Sequence, residues 1–347
     1  MNFKSVAIFL VLIPFLCWIN MGIQNNLEWL DHPNVIMSRM GSLTFLFYFV
    51  LFAYKVKEKD AIKLVLILSL IIWLIQVYQQ ANPYSALFGT YTDEQMSKWN
   101  TNETAGMRNG LYRFMIPGYC FTVMAVLYSW IEFLDKRNIK SFILFGVFIS
   151  SIYLTLTRQL LAAVIIGVAI SPILLGRSQP LKKTIYLLIT GTILFVIYRY
   201  SDVLFGDLIN LTEEQSGTDY IRFLSFDYYF NQTTKDLASL LLGSGSYSIA
   251  EQNGINFGFY PSDVGFMGEW HYYGLFWIIL YIVIIYNTLL RNFNKIPGYI
   301  KLFIIVTFMD CFMIFPYRYP YENFLWAIVL YICDLHISKS PLACKEQ

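Results

Sequence analysis

The residues of this chain best suited to chemistry are a few arginines and one polar pair. Arg158 closes the segment Thr155-Leu156-Thr157-Arg158, and Arg222 lies within the apolar aromatic segment Tyr220-Ile221-Arg222-Phe223-Leu224. Ser262 and Asp263 stand together just before a long apolar run. Because a guanidinium is planar and donates two parallel hydrogen bonds, it suits phosphate and carboxylate groups. These positions therefore favour recognition of an anionic substrate.

Three further arginines have neighbours that could share this work. Arg108 and Arg113 flank the start of an apolar run, and Arg318 lies among tyrosines in the turn 316–322. Tyrosines beside an arginine could hold a sugar and its phosphate. For all of the arginines named so far, a purely structural role is the alternative. They could be anchors at a membrane boundary, and Arg222 could be an ion-pair partner of Asp219 or Asp227.

Metal and nucleic-acid chemistry find no support in the sequence. The five cysteines show neither a pairing pattern nor a metal-ligand spacing such as CxxC, so we expect no metal site and no cofactor. The net charge of +2 comes without a basic stripe, which argues against a nucleic-acid partner.

The elements that must position these residues are membrane helices. The chain has 347 residues, of which 57% are hydrophobic and 14% charged, and its mean hydropathy is +0.52. A spanning helix needs about 20 mostly apolar residues. The sequence predicts an all-α polytopic membrane protein with about ten spans, near residues 6–23, 40–56, 62–79, 114–134, 141–157, 159–175, 184–200, 264–290, 302–316 and 323–337.

The lysines and arginines predict the orientation. With both termini in the cytoplasm, 16 of the 25 basic residues fall in short cytoplasmic segments, as the positive-inside rule requires. The outer side then carries two long loops, at 80–113 between the third and fourth spans and at 201–263 between the seventh and eighth. We expect one integral membrane domain over 1–347. Apolar helical patterning through Phe230 predicts that the second loop is structured.

Three segments in order resemble a known family. They are Thr155-Leu156-Thr157-Arg158 at an outer turn, Arg222 in the large outer loop, and Leu241-Leu242-Gly243-Ser244-Gly245 followed by Ser262-Asp263 and Tyr273-Gly274-Leu275. This pattern, over roughly 150–290, resembles the O-antigen and capsular polysaccharide polymerases, which are related to the O-antigen ligases. The ligases typically carry a histidine where Ser262-Asp263 stands, so the resemblance favours a polymerase.

The resemblance implies a metal-independent glycosyltransferase on the outer, periplasmic face of the bacterial cytoplasmic membrane. It would join oligosaccharide repeat units carried on polyprenyl pyrophosphate, with Arg158, Arg222 and Asp263 as catalytic residues. Arg108, Arg113, Ser262, Glu269, His271 and Arg318 would bind substrate. Membrane lipid surrounds such an enzyme, and a flippase and a chain-length regulator are its expected protein partners.

Several alternatives stay open on sequence alone. Asp263 is the first candidate for the general base and Glu269 the second. A helix over 263–271 would hold Asp263 and His271 about 12 Å apart along its axis, too far for a hydrogen-bonded pair, so His271 is either a packing residue or an orienting one. The whole chain could instead be a flippase or transporter of lipid-linked oligosaccharide, or a ligase.

Overall fold

The computed structural model describes residues 3–24, 40–83, 87–88, 107–108, 111–112, 114, 116–174, 180–199, 216–245, 248–311 and 320–338. Almost all of these residues are helical. The helices, in chain order, are α1 (Phe3–Gln24), α2 (Phe47–Ala53), α3 (Glu58–Ala81), α4 (Tyr119–Lys136), α5 (Ile139–Leu154), α6 (Arg158–Leu174), α7 (Pro180–Arg199), α8 (Ser216–Thr234), α9 (Leu237–Leu242), α10 (Ile249–Asn256), α11 (Gly265–Ile285), α12 (Gly298–Cys311) and α13 (Pro320–Ser338).

Shorter elements extend or join these helices. A 3-10 helix, Gly41–Leu46, leads into α2, and another, Pro261–Val264, leads into α11. A π-helical turn, Tyr286–Arg291, continues α11. Two short strands, β1 (Met107–Arg108) and β2 (Leu111–Tyr112), pair antiparallel with Met107 opposite Tyr112.

Each of the ten predicted apolar runs overlaps a helix, so the prediction of helix is confirmed for all of them. Within the described residues, three helical segments are long and apolar enough to cross a membrane: Phe3–Ile23, Glu58–Ala81 and Pro261–Arg291. Gly41–Ala53, Ile139–Leu154 and Gln159–Pro172 are shorter apolar helices. The chain therefore has the make-up of an all-α membrane protein. The number of crossings and their orientation stay predictions.

The helices fall into two compact units. The first comprises Met1–Ala61, Gly217–Pro297 and Thr307–Gln347, and the second comprises Ile62–Ser216 and Gly298–Val306. The described residues of the predicted outer loop at 201–263 contribute α8, α9 and α10 to the first unit, which confirms that this part of the loop is structured. Most of the predicted loop at 80–113 lies outside the described residues.

Within the first unit, a buried carboxylate joins α1 to α13. The carboxylate oxygens of Asp334 on α13 accept hydrogen bonds from the backbone N–H of Phe3, at 3.2 and 3.0 Å, and from the hydroxyl of Tyr48 on α2. The first N–H groups of a helix have no partner within the helix. Asp334 supplies one for α1 from a helix that is very distant in sequence.

Within the second unit, small and polar side chains let the helices approach closely. The indole N–H of Trp130 on α4 donates to Ser171 Oγ on α6 at 2.8 Å, and both residues are buried. A Cβ atom placed on Gly167 would lie 2.4 Å from Val306 Cγ2. Such pairing by small residues is typical of helices packed within a membrane.

Replacing Asp334 with alanine should destabilise the first unit. The Phe3 N–H and the Tyr48 hydroxyl would lose their acceptor at a buried site, where an unsatisfied group costs about 1–3 kcal/mol. We expect a lower melting temperature for the purified protein in detergent, and a smaller loss for D334N, which keeps an acceptor oxygen. D227A, which removes an exposed carboxylate on α8, is the matched control. Equal melting temperatures for D334A and D227A would contradict this account.

Candidate functional site

Two glycines that carry the family resemblance contact each other through their backbones. Gly243 ends α9, and Gly274 lies inside α11 with φ 77° and ψ 178°, a conformation that breaks the helix there. A Cβ atom on Gly274 would stand 2.2 Å from the carbonyl oxygen of Leu241, and one on Gly243 would stand 2.7 Å from the Gly274 nitrogen. Both glycines also have positive φ, so only glycine fits this glycine junction of Gly243 and Gly274.

Hydrogen bonds fasten the glycine junction to the surrounding helices. Ser244 N–H donates to the carbonyl of His271 on α11 at 2.7 Å. From α1, the side-chain amide of Asn20 donates to the carbonyl of Gly243 at 2.9 Å, and the Cys17 thiol donates to the carbonyl of Tyr273 at 3.3 Å. These carbonyls belong to irregular backbone, so side chains of a neighbouring helix replace the missing helical partners.

His271 occupies the centre of a buried polar cluster next to the junction. Its Nδ1 lies 3.1 Å from Thr233 Oγ1 on α8, and its Nε2 lies 3.5 Å from Ser248 Oγ, the residue that caps α10. The imidazole is fully buried and packs against the ring of Tyr229 with centroids 4.8 Å apart. Both ring nitrogens therefore face protein groups, an arrangement that suits the packing role more than direct contact with a substrate.

Tyr229 completes this cluster from α8. Its hydroxyl donates to the carbonyl of Phe259 at 2.9 Å, and burial raises its pKa above the ordinary tyrosine value. The hydroxyl is protonated at physiological pH, as in an ordinary tyrosine, and acts as a donor. Gly254 on α10 gives it space, since a Cβ atom there would lie 2.4 Å from the Tyr229 oxygen.

Glu269 lies inside α11 and is 3% exposed. One carboxylate oxygen accepts the indole N–H of Trp277 at 3.0 Å, while the other has no hydrogen-bond partner in the described part of the chain. The carboxylate of Glu322 on α13 is close enough to interact with it electrostatically. Asp310, at the end of α12, is also buried. The sequence singled out Glu269 but gave no sign that Glu322 would accompany it.

Ser262 and Asp263 lie at the exposed end of the same long helix. They belong to the 3-10 helix that precedes α11, and the N–H of Asp263 donates to the carbonyl of Tyr260 at 3.0 Å. The Asp263 carboxylate is exposed and lies 3.5 Å from its neighbour Ser262 Oγ. Asp263 and His271 therefore have different environments: Asp263 lies at the surface and His271 in the interior.

Arg222 lies on an exposed part of α8, in the same unit as Asp263. Among the described residues it forms no ion pair with Asp227, one of the two partners that the sequence offered. The side chain of the other, Asp219, lies outside the described residues. No hydrogen bond or ion pair between described side chains joins Arg222 to Asp263.

Arg158 is the first residue of α6, in the second unit. The turn before it is tight: Thr155 Oγ1 donates to the carbonyl of Ile152 at 2.7 Å and accepts the N–H of Thr157 at 3.3 Å. Leu156 is buried and has φ 51°, which is strained for a residue with a side chain. Arg108 lies in β1 of the same unit, while Arg113 and Arg318 lie outside the described residues.

Several residues of this arrangement were missed by sequence reasoning. The missed residues lie in or beside apolar segments: Asn20, Thr233, Ser248 and Glu251. Glu251 accepts a hydrogen bond from the Tyr272 hydroxyl at 2.6 Å. A polar residue within an apolar helix, such as Asn20 in α1, is the signal that could have found them.

Comparisons with protein-family models, with curated proteins and with solved structures find no match to this chain. The class of protein is therefore defined by its own apolar helices, as a helical membrane protein.

Replacing Gly274 with alanine should detach α9 from α11. The added methyl group overlaps the Leu241 carbonyl and the backbone keeps an unfavourable positive φ, so the glycine junction cannot close. We expect faster proteolysis between α9 and α11 in the purified protein. G146A is the matched control, because a Cβ atom at Gly146 meets nothing within 4 Å, and G258A isolates the effect of positive φ, since Gly258 has φ 80° and the same open space. Equal cleavage of G274A and G258A would show that contact at the junction is unimportant.

The cap of α9 should weaken in acid. The Asp236 carboxylate accepts from the N–H of Ser239 at 2.7 Å and from its hydroxyl at 2.9 Å, and the backbone bond is the main reason that its pKa lies below the ordinary value of 3.8. Because the folded pKa is the lower one, the cap stabilises α9 fully above the unfolded pKa and is lost as the pH falls through the folded pKa. Amide hydrogen exchange in Leu237–Leu242, corrected for intrinsic rates, should quicken below about pH 4. If D236N shows the same acid dependence, the cap is not its cause.

Proposed function

We propose that this protein is a polysaccharide polymerase. It joins oligosaccharide repeat units carried on polyprenyl pyrophosphate, at the outer face of the bacterial cytoplasmic membrane. In this proposal ten helices cross the membrane, both termini face the cytoplasm, and the loops at 80–113 and 201–263 lie outside. A flippase supplies the lipid-linked units and a chain-length regulator limits the product.

The glycine junction is the observation that carries the proposal. The segments Leu241–Gly245 and Tyr273–Leu275 are well separated in sequence, with α10 between them. Their glycines nevertheless lie so close that a Cβ atom on either one would overlap the backbone of the other segment. Two weak motifs that share one tight contact support the resemblance better than two motifs that merely follow in order. Asp263 opens the same helix on its exposed side, where a carboxylate could meet a substrate.

The turn before α6 adds support from the second unit. A cation at the first position of a helix is unfavourable by about 0.3–1 kcal/mol, because the N-terminal end of the helix dipole is positive. The same place favours a bound anion, since free backbone N–H groups and a guanidinium attract it together. Strained backbone at Leu156 is also typical of functional sites.

The chemistry gives each group a separate task. A sugar hydroxyl of the acceptor unit attacks the anomeric carbon of the donor glycan, and the bond from that carbon to the pyrophosphate oxygen breaks. The leaving pyrophosphate keeps the electron pair, and the family resemblance gives Arg158 and Arg222 the task of binding its growing negative charge. Asp263 takes the hydroxyl proton as general base. Glu269 is less suited to this task, because its carboxylate is buried and one oxygen is held by Trp277.

A transporter of lipid-linked oligosaccharide is the second candidate. Buried carboxylates on three helices, Glu269, Asp310 and Glu322, favour it, since ionisable groups within membrane helices commonly mark a translocation path. Exposed polar groups such as Arg222 and Asp263 would then have no catalytic part.

Substitution at the proposed catalytic residues should strongly reduce polymer formation from lipid-linked repeat units. Loss of one group that stabilises the leaving charge typically lowers kcat by about 10²–10³, so we expect that loss for R158A and R222A. Loss of a general base costs about 10²–10⁴, which we expect for D263N. R158K and R222K keep the charge but not the paired hydrogen bonds, and should be intermediate. D227A and R199A, at exposed residues, are the controls. Full activity in the three main variants, correctly inserted in the membrane, would overturn the assignment.

Deleting the gene separates the two candidate functions through the surface glycan. A polymerase mutant keeps single repeat units on its surface and loses long chains. A transporter mutant loses both, and E269Q would then block export while R222A would not.

A further inference from the structure

Helix α8 has three distinct faces. Ser225, Tyr229 and Thr233 are spaced four residues apart and are buried against the rest of the first unit. Asp227, Asn231 and Thr234 form an exposed polar face. Between these two faces stand Phe223, Phe226 and Phe230, which share one side of the helix because they follow at i, i+3 and i+7. We call these three residues the phenylalanine stripe.

The phenylalanine stripe is exposed to an unusual degree. The exposed fractions are 72% for Phe223, 46% for Phe226 and 41% for Phe230. The rings of Phe226 and Phe230 stack in parallel, with centroids 6.3 Å apart and planes 7° apart. A continuous apolar surface of this kind is unfavourable in water and indicates a binding surface.

The position of the stripe identifies what covers it. The ring of Phe230 packs edge to face on Trp270 of α11, with centroids 6.1 Å apart. Trp270 lies within Pro261–Arg291, a segment that is long and apolar enough to cross a membrane, and it precedes the break at Gly274. The turns before this break also carry the exposed carboxylate of Asp263, which favours a place in the interfacial layer, where tryptophan is common.

Beyond the break at Gly274, the segment Pro261–Arg291 exposes an apolar surface of its own. Its exposed apolar side chains are Phe276, Ile279, Ile282, Tyr286 and Leu290. The contact of Phe230 with Trp270 places the phenylalanine stripe beside the segment that carries this surface.

We propose that α8 lies in the membrane interface, with the phenylalanine stripe inserted among the acyl chains of phospholipids. The polar face of Asp227 and Asn231 turns towards water. Arg222 stands one helical turn before Phe226, at the edge of the stripe, where its guanidinium meets the lipid phosphates. If the proposed function holds, this depth also sets Arg222 at the level of the pyrophosphate of a lipid-linked donor.

Photocrosslinking in the intact protein tests the proposal. Benzoylphenylalanine replaces Phe223, Phe226 or Phe230, one at a time, and Asp227 or Asn231 in matched controls on the same helix. Each purified protein is reconstituted into vesicles of phosphatidylethanolamine and phosphatidylglycerol, irradiated and analysed by mass spectrometry. We expect phospholipid adducts at the three stripe positions and about tenfold fewer at the two controls, because those side chains face water.

Other results would overturn the proposal and say what covers the stripe instead. A crosslinked dimer at Phe226 would indicate a second copy of this chain, and a crosslink within one chain would indicate another segment of the protein. Equal yields at stripe and control positions, or no adduct at all, would mean that α8 does not rest on lipid. None of these outcomes depends on polymer formation, so the result is independent of the glycosyltransferase assay.

Discussion

The backbone contact between Gly243 and Gly274 is the constraint on which the arrangement of α9 and α11 in the first unit depends. An α-helix satisfies its own hydrogen bonds, and a break within it must be compensated by partners from elsewhere. In α11 the break at Gly274 admits the end of α9, and Asn20 and Cys17 of α1 bind the carbonyls that surround it. Residues 243–245 after α9 are thereby fixed against an apolar helix by hydrogen bonds from backbone and neutral side-chain groups.

Two kinds of polar group lie along the stretch that precedes the break at Gly274. Close to the break, His271 and Glu269 are enclosed: His271 contacts Thr233 of α8, and Glu269 accepts from Trp277 on the other side of the break. Before it, Asp263 is exposed beside the hydroxyl of Ser262. Groups of the first kind give rigidity, and groups of the second kind remain available to a ligand. A site built on a rigid element holds its geometry better than one on a free loop.

Sequence reasoning recovered the helices because their signal is local. An apolar run long enough to span a membrane must be helical, whatever its neighbours are, and all ten runs overlap a helix. The break at Gly274 could not be found this way, since glycine is common in membrane helices and its conformation depends on the arrival of α9. The electrostatic interaction of Glu269 with Glu322 was missed for the same reason, because it joins α11 to a helix much later in the chain.

The hydrogen bond that the Phe3 N–H donates to Asp334 can form only after α13 has been synthesised, so the first unit is completed late. During synthesis α1 is made long before α13, and α13 carries the carboxylate to which the N–H of Phe3 donates. Until α13 inserts, that end of α1 must use water or lipid headgroups. The growing chain therefore holds a helix whose first amide group has not yet met the acceptor that it has in the folded protein.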